Sequence, residues 1–113
     1  MPYIAINTSA ALSPAQQEKV KAELGRLISI IPGKAEADLM VDIFDGRKMY
    51  MGGAAVPAAY IDLRVYTKAD AEAKKRFTKE TFALLVRELG IKQENLYMTI
   101  TEFDNWGYDG EFH

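Results

Sequence analysis

GKAEADLMVDIFD, residues 33–45, has a counterpart later in the chain: GIKQENLYMTITEFD, residues 90–104. Each stretch begins at a glycine suited to end a helix, continues through a polar turn, and becomes an apolar run that closes on Phe-Asp. The two stretches form a weak internal repeat, with one copy in each half of the chain. This repeat indicates two βαβ units lying side by side.

The first unit is predicted from residues 2–8, 14–31 and 39–44. Residues 2–8 are β-prone and place their isoleucines on one face, which is typical of a strand. Ser13 followed by a proline is a common helix start, and apolar residues at helical spacing continue to residue 31, where a Pro-Gly pair would end the helix. Residues 39–44 form a short apolar run before a turn and predict the second strand.

The second unit is predicted from residues 58–66, the helix that follows, and residues 95–101. The strand over 58–66 would present four side chains on one face: Tyr60, Asp62, Arg64 and Tyr66. Thr67 and Asp70 resemble a capping box, with Asp in place of the usual Glu, and the helix would then continue to Leu89. Its inward face is predicted to consist of five apolar side chains: Phe77, Phe82, Leu85, Val86 and Leu89.

These elements predict an α+β fold in which two βαβ units form one four-stranded mixed sheet. Right-handed crossovers would place both helices on the same face of that sheet. The other face then needs a cover, and a chain of 113 residues has little left to provide one. We therefore expect another copy of the chain to cover it, which predicts an oligomer.

The length and composition indicate a single soluble domain over residues 1–113. The chain has no cysteine, which excludes disulfides, thiolate metal sites and thiol nucleophiles. Its one histidine is the last residue, so His-based triads and metal sites are not expected. The formal charge of −2 gives no electrostatic footprint for nucleic acid, and no apolar stretch approaches the roughly 20 residues that span a bilayer.

The start of the chain lacks the basic and apolar regions of a signal peptide. We therefore expect a cytoplasmic protein that binds no nucleic acid and no membrane, with leaderless secretion left open. No glycine-rich nucleotide motif is present, and no cofactor is predicted.

Pro2 is the position that suggests chemistry. A small second residue normally allows the initiating Met1 to be removed, so the mature chain would begin with the secondary amine of Pro2. Burial or a nearby cation would lower the pKa of that amine toward neutrality and let it act as a general base. The alternative is an ordinary Met-Pro start with no function.

The sequence resembles the macrophage migration inhibitory factor branch of the tautomerase superfamily. The matching pieces run in the same order over essentially the whole chain: Met1-Pro2 with Asn7-Thr8, Pro32-Gly33-Lys34, MYMGGAAVPAA (49–59), LVRELGIKQENLYMTI (85–100) and NWGYDGEF (105–112). This resemblance implies a homotrimer whose sheets form a central barrel, with active sites at subunit interfaces. It also implies keto–enol tautomerase activity on phenylpyruvate-type 2-keto acids, an isomerase reaction.

Carried over position by position, the resemblance implies that Pro2 is the base and that Lys34 meets the substrate carboxylate. The backbone amide of Tyr66 would contact substrate, and Trp106 and Tyr108 would form the pocket walls. Tyr97 and Thr99 would lie beside the pocket, although Thr99 stands where the family has an asparagine and cannot present two N–H donors.

Two other functions remain open at this stage. The chain could be a cytokine-like binding protein that retains a vestigial pocket. It could also isomerise a muconate-type diacid, a reaction that a second cation near the pocket would favour. Arg64 is the candidate for that cation, and the resemblance does not explain it otherwise.

Overall fold

Four strands, two helices and a short C-terminal hairpin account for most of the chain in the computed structural model, which describes residues 1–113. The elements, in chain order, are β1 (Pro2–Thr8), α1 (Pro14–Leu27), β2 (Met40–Phe44), β3 (Ala59–Tyr66), α2 (Ala71–Leu89), β4 (Leu96–Phe103), β5 (Gly107–Tyr108) and β6 (Glu111–Phe112). Three-residue 3₁₀ turns occupy residues 28–30, 36–38 and 93–95.

The sheet has the strand order β2-β1-β3-β4. β1 is parallel to β2, β3 is parallel to β4, and the two central strands are antiparallel to each other. Each parallel pair is joined through one helix, so the sheet consists of two βαβ units placed side by side. This arrangement confirms the predicted α+β fold and its four-stranded mixed sheet.

Both helices pack against one face of the sheet. One cluster of 17 buried apolar residues joins the two helices to alternate residues of the strands. Its strand members include Ile4 and Ile6 of β1 and Ile61, Leu63 and Val65 of β3. The residues between them point to the other face, which no segment of this chain covers and which we call the open face.

Helix α1 begins where the sequence predicted and ends earlier. Ser13 and Gln16 form a reciprocal capping box at its start, because each side chain bonds the backbone N–H of the other residue. The predicted end at Ile31 is wrong: the α-helix stops at Leu27 and continues only as a 3₁₀ turn. Ile31 precedes a proline and is extended (φ −84°, ψ 116°), as the clash with the proline ring requires.

Helix α2 is capped by Asp70 itself, whose carboxylate accepts the Ala73 N–H at 2.7 Å. The predicted capping box from Thr67 is therefore wrong, and Thr67 adopts a left-handed backbone conformation instead (φ 70°). Gly90 ends the helix in the left-handed conformation, as expected.

The inward face of α2 differs in part from the prediction. Phe77 and Leu85 are fully buried, and Phe82 and Leu89 pack at the edge of the core. Val86 is 39% exposed, so its predicted inward position is wrong. The buried stripe has five members at helical spacing, of which Phe77 and Leu85 were predicted: Ala73, Phe77, Thr81, Leu84 and Leu85.

β4 extends to Phe103, two residues beyond its predicted end, and the remaining tail folds into the β5–β6 hairpin. The hairpin is closed at its base by paired backbone bonds between Trp106 and His113. Trp106 also packs edge-on against Phe103, with ring centroids 5.9 Å apart. Neither helix has the length and hydropathy needed for a membrane crossing.

Candidate active site

Pro2 opens β1, a central strand, and is buried there. It pairs with Val65 of β3, so the first residues of the chain lie beside the end of β3. The carbonyl oxygen of Met1 accepts a hydrogen bond from the backbone N–H of Tyr66 at 3.3 Å. The chain start is therefore held in a defined place by the central strands.

A cavity of about 470 Å³ lies next to this chain start. Pro2 and Tyr3 line it from β1, Asp38 lines it from the 3₁₀ turn before β2, and Trp106 and Tyr108 line it from the C-terminal tail. Most of its lining is apolar or aromatic, which lowers the local dielectric constant and strengthens electrostatic interactions at its mouth.

Lys34 lies on the β3 side of the chain start. Its ammonium donates a hydrogen bond to the carbonyl oxygen of Tyr66 at 2.7 Å, and the side chain is half-buried. The backbone N–H of Lys34 bonds Ile31 across the turn that contains Gly33 (φ 79°). The turn therefore fixes the backbone position of Lys34, and the hydrogen bond to Tyr66 fixes the position of its ammonium group.

Burial and two charged side chains set the protonation of the chain-terminal amine. Burial lowers the pKa of the Met1 amine, and the nearby ammonium of Lys34 lowers it further. The carboxylate of Asp38 acts in the opposite direction and raises that pKa, with a smaller effect. An amine at this end of β1 is therefore easier to deprotonate than a solvated one.

Tyr66, the last residue of β3, presents its backbone to this site, and the loop of residues 67–70 follows it. Thr67 donates its backbone N–H to the carbonyl of Phe103 at 2.8 Å. Glu102 accepts the backbone N–H of Ala69 at 2.6 Å and the ammonium of Lys74 at 3.1 Å. These contacts from β4 hold the loop, and with it both polar backbone groups of Tyr66.

Tyr97 lies near the other end of the sheet, and Thr99 lies at the middle of β4. Tyr97 pairs with Tyr60 of β3. It lies five positions along β4 from Glu102, and Glu102 pairs with Val65, the β3 partner of Pro2. That offset corresponds to roughly 16 Å along the strand. Tyr97 is 63% exposed on the open face, and the hydroxyl of Thr99 is hydrogen-bonded to that of Tyr60.

The predicted site residues thus divide into two groups within one chain. The structure brings together Pro2, Lys34, Tyr66, Trp106 and Tyr108, and it places Tyr97 and Thr99 well away from them.

Arg64 lies on the open face and is already paired. Its guanidinium binds the carboxylate of Asp62 at 2.9 Å and lies over the ring of Tyr3, 5.6 Å from the centroid. This pairing raises the pKa of Arg64 through the hydrogen bond to Asp62 and the charge of that carboxylate. Arg64 is therefore not a free cation for a second substrate carboxylate within this chain.

Sequence reasoning missed several residues of the cavity wall, among them Tyr3 and the segment 37–40 that contains Asp38. The missing signal was the register of the sheet: Tyr3 pairs with Met40, which brings the turn before β2 beside the start of β1. Tyr3 is anchored there, because its hydroxyl donates to Asp42 at 2.9 Å. No group of three or more His, Asp or Glu side chains is placed to hold a metal ion.

Three solved structures show the same fold. The MIF2 protein of Leishmania major superposes with a TM-score of 0.93 and 23% identity, covering 100% of this chain and 97% of that one. The MIF-like protein of Entamoeba histolytica superposes with a TM-score of 0.88 and 24% identity, covering 99% of this chain and 98% of that one. A protein named Pt0534, solved after inactivation by 2-oxo-3-pentynoate, superposes with a TM-score of 0.84 and 16% identity, covering 96% of this chain and 92% of that one.

A comparison with curated protein sequences found no match. The family model for macrophage migration inhibitory factor (MIF) matches residues 1–111, which is nearly the whole chain. The order of the elements, the paired βαβ units and the proline at the start of a central strand are all consistent with that match. The chain therefore belongs to the macrophage migration inhibitory factor family.

Proposed function

We propose that this protein is a keto–enol tautomerase acting on phenylpyruvate-type 2-keto acids, with the amine of Pro2 as general base and acid. Membership of the family supports a tautomerase-type activity in general. The substrate and the role of Pro2 are the parts that we add. They rest mainly on one observation, the position of Met1.

Met1 occupies two places that a substrate would need. Its carbonyl takes the backbone N–H of Tyr66, and its peptide bond converts the nitrogen of Pro2 into an amide nitrogen without a basic lone pair. Removal of Met1 would free both groups at once. The amine of Pro2 would then lie beside Lys34 and within an apolar cavity, the conditions that lower the pKa of the Met1 amine.

The other residues take complementary roles in this proposal. Lys34 has two ammonium protons left after its bond to Tyr66 and would bind the substrate carboxylate. The freed N–H of Tyr66 would donate a hydrogen bond to the substrate. Trp106 and Tyr108 would pack against the substrate side chain and exclude water.

The reaction is a proton transfer within the substrate. The unprotonated amine removes a proton from C3, and the electron pair of that C–H bond becomes the C2–C3 double bond. The carbonyl π electrons move to oxygen, which takes up a proton and completes the enol. Ketonisation runs the same steps in reverse, and the cation of Lys34 stabilises the charge that develops next to the carboxylate.

We also propose that the working form is a homotrimer, the assembly typical of this family. The open face of the sheet would be its interface. Tyr97 and Thr99 lie too far from Pro2 to reach the same substrate in one chain, so a neighbouring subunit would supply them. This arrangement accounts for their exposure on the open face.

The test compares Pro2→Ala with the native protein in a phenylpyruvate ketonisation assay, after intact mass spectrometry has shown that Met1 is absent from both. We expect kcat/KM to fall at least about 100-fold in Pro2→Ala, because a general base contributes that much or more. A second protein with one added residue before Pro2 should be equally impaired, since its proline nitrogen is an amide.

2-Oxo-3-pentynoate, the reagent that inactivated Pt0534, provides an independent measurement. We expect it to modify the N-terminal peptide of the native protein and not that of the extended one. Native turnover by Pro2→Ala, or by the extended protein, would show that Pro2 is not the base.

A further inference from the structure

The cavity beside Pro2 contains one carboxylate that has no partner. Asp38 lies in the 3₁₀ turn of residues 36–38 and lines the cavity. Its carboxylate makes no hydrogen bond or ion pair within the chain, whereas the other acidic side chains near the start of β1 are engaged. Asp42 binds the Tyr3 hydroxyl at 2.9 Å, and Asp62 binds Arg64 at 2.9 Å.

Charges of opposite sign lie on the two sides of Pro2. Because β1 lies between β2 and β3, Lys34, bonded to Tyr66 at the end of β3, is on one side. Asp38, which leads into β2, is on the other side. Two strand spacings separate β2 from β3, roughly 10 Å.

An arylpyruvate bound by its carboxylate at Lys34 would cross Pro2 and extend its ring toward β2. The para position of that ring would then approach Asp38 between the aromatic walls of the cavity. Asp38 is an exposed residue at the edge of this cavity. Its charge would repel a second carboxylate at that position, and a hydroxyl there would find an acceptor.

We propose that Asp38 determines the charge that the site accepts at the far end of the substrate: a neutral hydrogen-bond donor or a cation is selected, and a second carboxylate is rejected. This inference rests on the proposed function and narrows its substrate class. It also argues against a muconate-type diacid, because Arg64, the cation considered for a second carboxylate, is already paired with Asp62.

The test uses three substrates on one scaffold: phenylpyruvate, 4-hydroxyphenylpyruvate and 4-carboxyphenylpyruvate. They differ only at the para position, so the ratio of kcat/KM for the hydroxy and carboxy compounds reports selection at that position. Isothermal titration calorimetry supplies the ratio of the dissociation constants of the same two compounds, which does not depend on turnover. The variant is Asp38→Asn, which keeps the size of the side chain and removes its charge.

Glu36→Gln is the matched control. Glu36 belongs to the same 3₁₀ turn, and its removal changes the net charge equally. Its side chain lies against Gly25 of α1 and lines a separate groove of about 540 Å³ between α1 and β2. A general change in the electrostatic field of the turn would affect both variants, whereas direct contact with the substrate involves only Asp38.

We expect the native protein to prefer the hydroxy over the carboxy compound by at least about tenfold in kcat/KM. Asp38→Asn should lower that ratio by about tenfold, the size of effect that one nearby charge commonly has on an ionisable group. Glu36→Gln should leave the ratio within about twofold of native. An unchanged ratio in Asp38→Asn, an equal change in Glu36→Gln, or no binding of any compound would overturn the inference.

The two proposals can fail separately. If Pro2→Ala retains native turnover, the proposed catalytic role is wrong, and the calorimetric ratio still decides the role of Asp38. If Pro2→Ala is inactive and Asp38→Asn keeps the native ratio, only the charge selection is wrong.

Discussion

The protonation of one amine depends on its two charged neighbours, Lys34 and Asp38. Lys34 lowers the pKa of the Met1 amine and Asp38 raises it, in addition to the lowering by burial. In the proposed mature chain the amine of Pro2 takes that place, and we expect the same two neighbours to act on it. A general base works only when unprotonated, so kcat/KM should rise with pH as this amine loses its proton.

Replacing Lys34 with glutamine should therefore move the acidic limb of the pH profile of kcat/KM to higher pH. Without the ammonium, the pKa of the amine rises, and the base remains protonated up to a higher pH. The KM for phenylpyruvate should also increase, because the carboxylate loses its cation. Lys92→Gln, at an exposed position away from the cavity, is the control and should leave both unchanged. An acidic limb that stays in place would show that Lys34 does not act on the base.

Two buried threonines provide a prediction about stability. Thr81 of α2 and Thr8 of β1 are both fully buried, but only Thr8 has partners. Its hydroxyl donates to the carbonyl of Ala58 at 2.9 Å and accepts the N–H of Ala10 at 3.1 Å, whereas the hydroxyl of Thr81 bonds nothing.

Thr81→Val should raise the free energy of unfolding by about 1 kcal/mol, because valine has the same shape and no unsatisfied hydroxyl. Thr8→Val should lower it by about 1–2 kcal/mol, because the N–H of Ala10 loses its acceptor. Urea unfolding at one fixed protein concentration measures both, since assembly contributes to apparent stability. A loss of stability in Thr81→Val would contradict this account of the helix interior.

At the scale of elements, the loop between β3 and α2 is held by a carboxylate on β4. The backbone N–H of Ala69, followed by Lys74, keeps the pKa of Glu102 below its ordinary value of 4.5, against the opposing effect of burial. A carboxyl group with a lowered pKa stabilises the fold above its unfolded-state pKa. That contribution is lost as the pH falls through the folded-state pKa.

Glu102→Gln should therefore lower the free energy of unfolding at pH 7 and flatten its pH dependence below about pH 4.5. The same variant should raise the KM for phenylpyruvate, because the loop that directly follows Tyr66 is held less firmly. Glu72→Gln is the comparison, since its pair with Lys75 is exposed at 3.5 Å and should matter little. Unfolding curves across the acid range and steady-state kinetics provide the readouts. Identical pH dependence in the native protein and Glu102→Gln would exclude this role.

At the scale of the whole molecule, the open face carries large side chains in contact with solvent. Met40 is 66% exposed, Phe44 41%, Tyr97 63% and Phe103 36%. Apolar side chains repeated over one sheet face are the usual mark of a protein interface. The proposed trimer would bury this face and would bring the two groups of site residues together from different subunits.

A subunit-mixing experiment tests this proposal directly. Pro2→Ala and Tyr97→Ala should each be nearly inactive alone, because each removes one half of every site. Unfolding and reassembling them together should restore about one quarter of the sites, those that combine an intact Pro2 with an intact neighbouring Tyr97. Light scattering should show three copies of the 12.7 kDa chain. Full activity of Tyr97→Ala, no restoration on mixing, or a monomer would contradict the shared site.

Local sequence patterns were enough to predict the two helices and the four strands of the main sheet in their order. Ser13 caps the start of α1, and Gly90 ends α2. The alternation of apolar residues assigns the faces of β1 and β3. These features could be predicted because they depend on neighbours within a few residues. Where the local prediction failed, at Thr67 and Val86, contacts with other elements prevailed: β4 holds Thr67, and packing of the buried stripe turns Val86 outward.

Only part of the candidate site could be predicted from the sequence. Pro2 was suggested by its place at the chain start and Lys34 by the family resemblance, but Asp38 was not identified, and Arg64 was considered as a second cation. The folded chain was needed to show that Asp38 lines the cavity and that Arg64 is paired with Asp62. The physical reason is that charge at a site depends on which strands are adjacent and in what register, and residues far apart in the chain set both.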